Sequence, residues 1–93
     1  INNNSSINPN YLIYTIQLFS DINYKNVENY LNNILELKSE IIETDQLHIL
    51  SLNSQIGTDF FLTYKNFNSR SEAMSFCKKL SFIKKCLIIN ARN

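Results

Sequence analysis

Ninety-three residues, 44% of them apolar and 18% charged, are enough chain for one small domain with a single modest core and too little for two. Nine basic against eight acidic residues leave a net charge of +1, which excludes the global field that recruits nucleic acid or an anionic membrane. One His and two Cys undersupply a zinc site, and no apolar run approaches the length of a membrane span.

The chain opens on Ile1 and reads as an excerpt of something longer. Residues 1–10, dominated by Asn and Ser and free of charge, read as the end of a linker, with the domain proper over residues 11–93. The run YLIYTIQLFS, Tyr11 to Ser20, is rich in β-branched and aromatic residues and has the length of a strand, which Asp21 to Asn23 then break. From Tyr24 to about Glu40, apolar residues recur at Val27, Tyr30, Leu31, Ile34 and Leu35, the spacing of one helical face. Ile41 and Ile42 either prolong that helix or open an irregular connection through Glu43, Thr44 and Asp45.

LHILSLN, Leu47 to Asn53, is the second strand. A polar turn from Ser54 to Asp59, holding the only glycine at Gly57, leads to a third, FFLTY, Phe60 to Tyr64, antiparallel to it. Ser69-Arg70-Ser71-Glu72 is a capping box, in which serine and glutamate each satisfy a free amide at a helix start. The helix it opens carries the stripe Ala73, Phe76, Cys77 and Leu80, with Lys78 and Lys79 near its negative end. KCLIIN, Lys85 to Asn90, is the last strand.

The order β, α, β, β, α, β, with short links and helices that each have one apolar face, predicts an α+β two-layer sandwich, a βαββαβ four-stranded antiparallel sheet with both helices on one face. The other face is left open for recognition. If Ile16 and Leu18 turn to the helices, Ile13, Thr15, Gln17 and Phe19 face outward from the first strand. In the third strand Phe61 and Thr63 are assigned to the open face and Phe60, Leu62 and Tyr64 to the other; a register with Phe60 outward is the alternative.

The remaining chemistry-bearing residues have bland readings. Cys77 and Cys86 read first as small buried hydrophobes, with a disulfide between them the alternative in an oxidising periplasm if their Cα atoms come within about 7 Å. His48, with no second His or Cys near it in sequence, is an edge or partly buried strand residue. The basic set Lys78, Lys79, Lys84 and Lys85 and the acidic set Glu36, Glu40, Glu43 and Asp45 read as solvated faces, and nothing pairs carboxylates across a groove for glycoside hydrolysis.

Two segments resemble a known family. YTIQLFS, Tyr14 to Ser20, is similar to the opening strand of the SPOR (sporulation-related repeat) domain, with its aromatic, alternating aliphatics and a Gln before a small residue. FFLTYKNFNSRSEAMSFCKKL, Phe60 to Leu80, resembles that family's strand followed by aromatic-S-R/K-x-E-A and a helix, on Phe67, Ser69, Arg70, Glu72 and Ala73. Glycines frequent in the family after the first segment and before the aromatic of the second are here Phe19 and Lys65-Asn66.

The resemblance, which covers about Tyr11 to Ala91 in element order, implies an RNP/ferredoxin-like fold that binds bacterial peptidoglycan, namely glycan strands stripped of their stem peptides, through Gln17 and Ser20 on the open sheet face. Sugars ask for such partners: their hydroxyl and acetamido groups bond to Gln, Ser and Thr, and pyranose faces pack on aromatic rings. Thr15, Gln17, Ser20, Phe61 and Thr63 supply those types, with Ser51 and Asn53 as additions from the second strand. The expectation is a monomeric module without catalysis, metal or cofactor, acting in the periplasm or cell envelope and directing a longer, membrane-anchored protein to the cell wall or division septum. Its rivals are a single-stranded RNA binder of the same topology, for which FLTYKNF lacks the usual glycine and basic lead, and a protein-interaction unit using Ile13 and Phe61.

Overall fold

The structure, a computed structural model, describes residues 13–80 and 86–90; the expected linker, Lys84 and Lys85 lie outside them. The elements run β1 (Tyr14–Asp21), α1 (Tyr24–Leu37), β2 (Leu47–Ser54), β3 (Gly57–Phe67), α2 (Arg70–Cys77) and β4 (Leu87–Asn90), with one 3-10 turn at Thr44–Gln46. The strands form one antiparallel sheet in the order β2-β3-β1-β4, the ferredoxin-like α+β arrangement with β1 and β3 at its centre.

Asn23 starts α1 by accepting the Lys25 amide on its side chain at 2.9 Å, and Asp21 in turn accepts the Asn23 amide and the Asn26 side-chain amide. The helix stops at Lys38, whose left-handed φ of 50° sends the chain away. Ile41 and Ile42 therefore belong to the irregular connection, where Ile42 is nonetheless buried. Of the expected stripe, Val27 and Ile34 are buried, Tyr30 and Leu31 pack against the core, and Leu35 lies at its exposed rim. Ser69 caps α2 by accepting the Glu72 amide, while the Glu72 carboxylate returns to the Asn68 amide, one residue before the cap.

Both helices lie on one face of the sheet, over Ile16, Leu47, Ile49, Leu62 and the fully buried Tyr64. Ring contacts fix them there: Tyr24 of α1 meets Phe60 edge-on, and Phe76 of α2 stacks on Tyr64 and tilts against Phe67. The Tyr64 hydroxyl is not left bare in the core, because it accepts the Glu43 amide at 3.0 Å and so ties the α1–β2 connection to β3.

The hairpin between β2 and β3 is tighter than its polar sequence suggests. Ser54 pairs with Gly57 across only Gln55 and Ile56, and Gly57 takes a φ of 143°. The third strand thus extends beyond FFLTY at both ends.

Two bulges distort the central pair. Between Gln17 and Phe19, which pair with Thr63 and Leu62, β1 carries Leu18 as an extra residue. Between Tyr14 and Ile16, which pair with Phe67 and Tyr64, the extra residue belongs to β3, where Lys65 takes a left-handed φ of 60°.

The first bulge overturns one expectation. Phe19 does not face outward: shifted by one position, it reaches the helix side and stacks on Tyr30 with centroids 4.5 Å apart. The cysteines take the alternative of their two readings. Cys77 and Cys86 form a disulfide, with Cα atoms 6.0 Å apart, which closes the end of α2 onto the start of β4.

Candidate ligand-binding face

Cross-strand pairing defines the face turned away from the helices. One row runs Leu87, Gln17, Thr63, His48 across β4, β1, β3 and β2; the next holds Ser20, Phe61 and Leu50; Thr15 and Ile89 stand together on the other side of the first row. The five residues expected at the site therefore share this face, but they do not share a role. Thr15 and Thr63 are each only 1% exposed, and their hydroxyls donate to the carbonyls of Tyr64 and His48. They form the floor of the face, with their hydroxyl protons already given to the backbone.

Gln17, Ser20 and Phe61 remain accessible, the first and last half-buried and Ser20 exposed. Gln17 Nε2 donates to Ser20 Oγ at 3.3 Å, so the amide is held beside the hydroxyl while Ser20 keeps its own proton to donate. Phe61 is paired between Ser20 and Leu50, next to this polar pair. A ring edged by an amide and a hydroxyl suits a ligand with both an apolar face and hydroxyl groups.

The second strand contributes other residues than expected. Ser51 pairs with Phe60 and Asn53 with Thr58, which puts them on the helix side; Ser51 is buried, and Asn53 Oδ1 accepts the Thr58 hydroxyl at 2.6 Å. The parity of LHILSLN instead sends His48, Leu50 and Leu52 to the open face, because Leu47 and Ile49 are the pair that the core takes. Leu52, at 57% exposure, and Leu87 of β4 give the face apolar margins. The signal for them was in the sequence: LHILSLN and CLIIN carry aliphatics on both parities, more than one buried face can use.

His48 is the one titratable group in the Gln17 row. It is buried, its Nδ1 has no hydrogen-bond partner, and burial pushes its pKa below the usual value, against a smaller upward pull from Asp45. The residues paired on this face include no Lys or Arg, and their only carboxylate is Asp59, opposite Leu52 at its margin. Among the described residues no three His, Cys, Asp or Glu side chains gather as a metal site, and no helix is long and apolar enough to cross a membrane. Comparison of the chain with protein-family models, curated proteins and solved structures found no match.

Proposed function

We propose that the domain is a non-catalytic module that binds the glycan strands of bacterial peptidoglycan, stripped of stem peptides, and directs the protein carrying it to the cell wall. The observation that carries this reading is the bonded pair Gln17–Ser20 beside the Phe61 ring on a sheet face that neither helix covers. Hydroxyl and acetamido groups of a sugar replace water on the amide and the serine, and the pyranose face covers the ring. The near-absence of charge on the paired positions, with no Lys or Arg among them, disfavours a phosphate backbone as the ligand of this face. The Cys77–Cys86 bond supports an oxidising compartment such as the periplasm.

The test is co-sedimentation of the domain with purified sacculi, before and after an amidase removes the stem peptides, at two salt concentrations. Pelleting that rises with stripping and withstands salt is the expected result. Failure to pellet with either form sinks the reading. A second reading, a protein-interaction module, is favoured by Leu50, Leu52, Leu87 and Ile89, which give the same face an apolar margin. It predicts no sacculus binding and a protein partner that Leu52→Asp releases.

A further inference from the structure

A concave surface lies away from the sheet face. A cleft of about 510 Å³, within the range of about 300–1,000 Å³ usual for ligand sites, lies between the end of β3 and the outer side of α2. Phe76 lines it, and its ring is fixed on the inner side by Tyr64 and Phe67, centroids 5.2 and 5.8 Å away. Ser71 and Ser75 stand one helical turn apart along one wall, Asn68 lies at its β3 end, and Lys79 follows just past the helix.

Two of the three charged side chains of the cleft are engaged. Lys65 is bridged to Glu43 at 2.9 Å, and the Glu72 carboxylate keeps its charge at the helix start, where it accepts the Asn68 amide and the helix N-terminus favours it. The hydroxyls of Ser71 and Ser75, the Asn68 side-chain amide and the Lys79 ammonium have no partner among the described residues. An immobilised ring, two hydroxyls, an amide and one unpaired cation describe a sugar-shaped ligand that brings a single negative charge.

We infer that this cleft is a second binding site, for a pyranose bearing one carboxylate, with Phe76 under the ring, Ser71, Ser75 and Asn68 on its hydroxyl or acetamido groups, and Lys79 on the carboxylate. The choice of sugar rests on the cell-wall function proposed above; the site itself does not. The lactyl group of a muramic acid unit carries its stem peptide through an amide. When an amidase hydrolyses that bond, water's oxygen stays on the lactyl carbonyl and the peptide leaves as a free amine, so the stripped sugar gains a carboxylate. A site that pairs Lys79 with that group distinguishes stripped strands from unstripped ones, while the sheet face grips the polymer.

The test uses two monosaccharides that differ only at O3, where N-acetylmuramic acid carries the lactyl ether with its carboxylate and N-acetylglucosamine a hydroxyl, titrated into the isotope-labelled domain while its amide spectrum is recorded. The expected result is perturbation of Ser71, Ser75, Phe76 and Lys79 by both sugars, with N-acetylmuramic acid the tighter by about threefold, the scale of an exposed ion pair. Lys79→Gln should erase that preference and leave the rest of the spectrum in place. Ser75→Ala should weaken both sugars alike. Equal affinity for the two sugars in the unmodified domain overturns the carboxylate assignment, and an unperturbed cleft overturns the site. Because Gln17→Glu tests the sheet face without touching this cleft, failure of the one site and failure of the other are separate results.

Discussion

Gln17 and Ser20 stand three residues apart in one strand and yet share a face, the amide of the first donating to the hydroxyl of the second. In a regular strand such residues point to opposite sides, since side chains alternate with period two. The extra residue at Leu18 absorbs one step of the alternation and brings them together.

Replacement of Gln17 by glutamate removes the amide donor facing Ser20 and puts a carboxylate on an otherwise uncharged row. Binding to stripped sacculi is expected to fall on the order of tenfold, about 1.4 kcal/mol, with the melting temperature unchanged. Pelleting assays at fixed ionic strength measure it, and undiminished binding would place the glycan elsewhere.

Removing the disulfide with Cys77→Ala/Cys86→Ala frees the end of α2 from the start of β4, whose Leu87 pairs with Gln17. Loop-closure entropy for so short a ring puts the loss at about 2.5–3 kcal/mol. A fall in melting temperature of about 10–20 °C follows for a domain of this size. Identical melting curves for the oxidised protein and the protein held in a dithiol reductant would show that the bond contributes nothing.

The Tyr64 hydroxyl accepts the Glu43 amide, so Tyr64→Phe leaves the core ring in place and strips one bond from the α1–β2 connection. A cost of about 1 kcal/mol is expected, read as a lower urea midpoint with an unchanged slope.

Burial of His48 lowers its pKa, so the unfolded chain takes up a proton at a higher pH than the native one. Below the unfolded value of about 6.5, the unfolded state binds more protons, and stability declines as pH falls until the native His48 itself titrates. Urea midpoints between about pH 7.5 and pH 5 measure this, and His48→Gln is expected to flatten that part of the profile. A slope that persists in the variant would assign the effect to other groups.

Lys38 holds a left-handed conformation at the end of α1, one that a Cβ makes costly and glycine adopts freely. Lys38→Gly is expected to stabilise the domain by about 0.5–1 kcal/mol, observed as a rise of a few degrees in melting temperature.

Local signals were readable in the chain wherever neighbours in sequence decide the outcome. The Val27–Ile34 stripe, the Ser69–Glu72 cap and the alternation that puts Leu62 and Tyr64 on one face and Phe61 and Thr63 on the other depend on spacing alone, and each appears in the structure. What spacing did not reveal depends on partners distant in the chain. The bulge at Leu18 is a property of how β1 pairs with β3, so the turn of Phe19 towards Tyr30 had no local sign. Ser51 looked like a surface serine, but register with Phe60 buries it. The bond between Cys77 and Cys86 depends on a helix end meeting a strand start, a distance that the fold sets.

The two bulges also cancel. As many residues separate Tyr14 from Asp21 as separate Phe67 from Phe60, because the surplus at Leu18 in β1 is matched by the surplus near Lys65 in β3. The central strands thus work like a vernier, out of step between the bulges and back in step at both ends. Loss of a single residue from one strand alone would leave the offset uncorrected, so insertions and deletions at these two places are tolerable only in pairs.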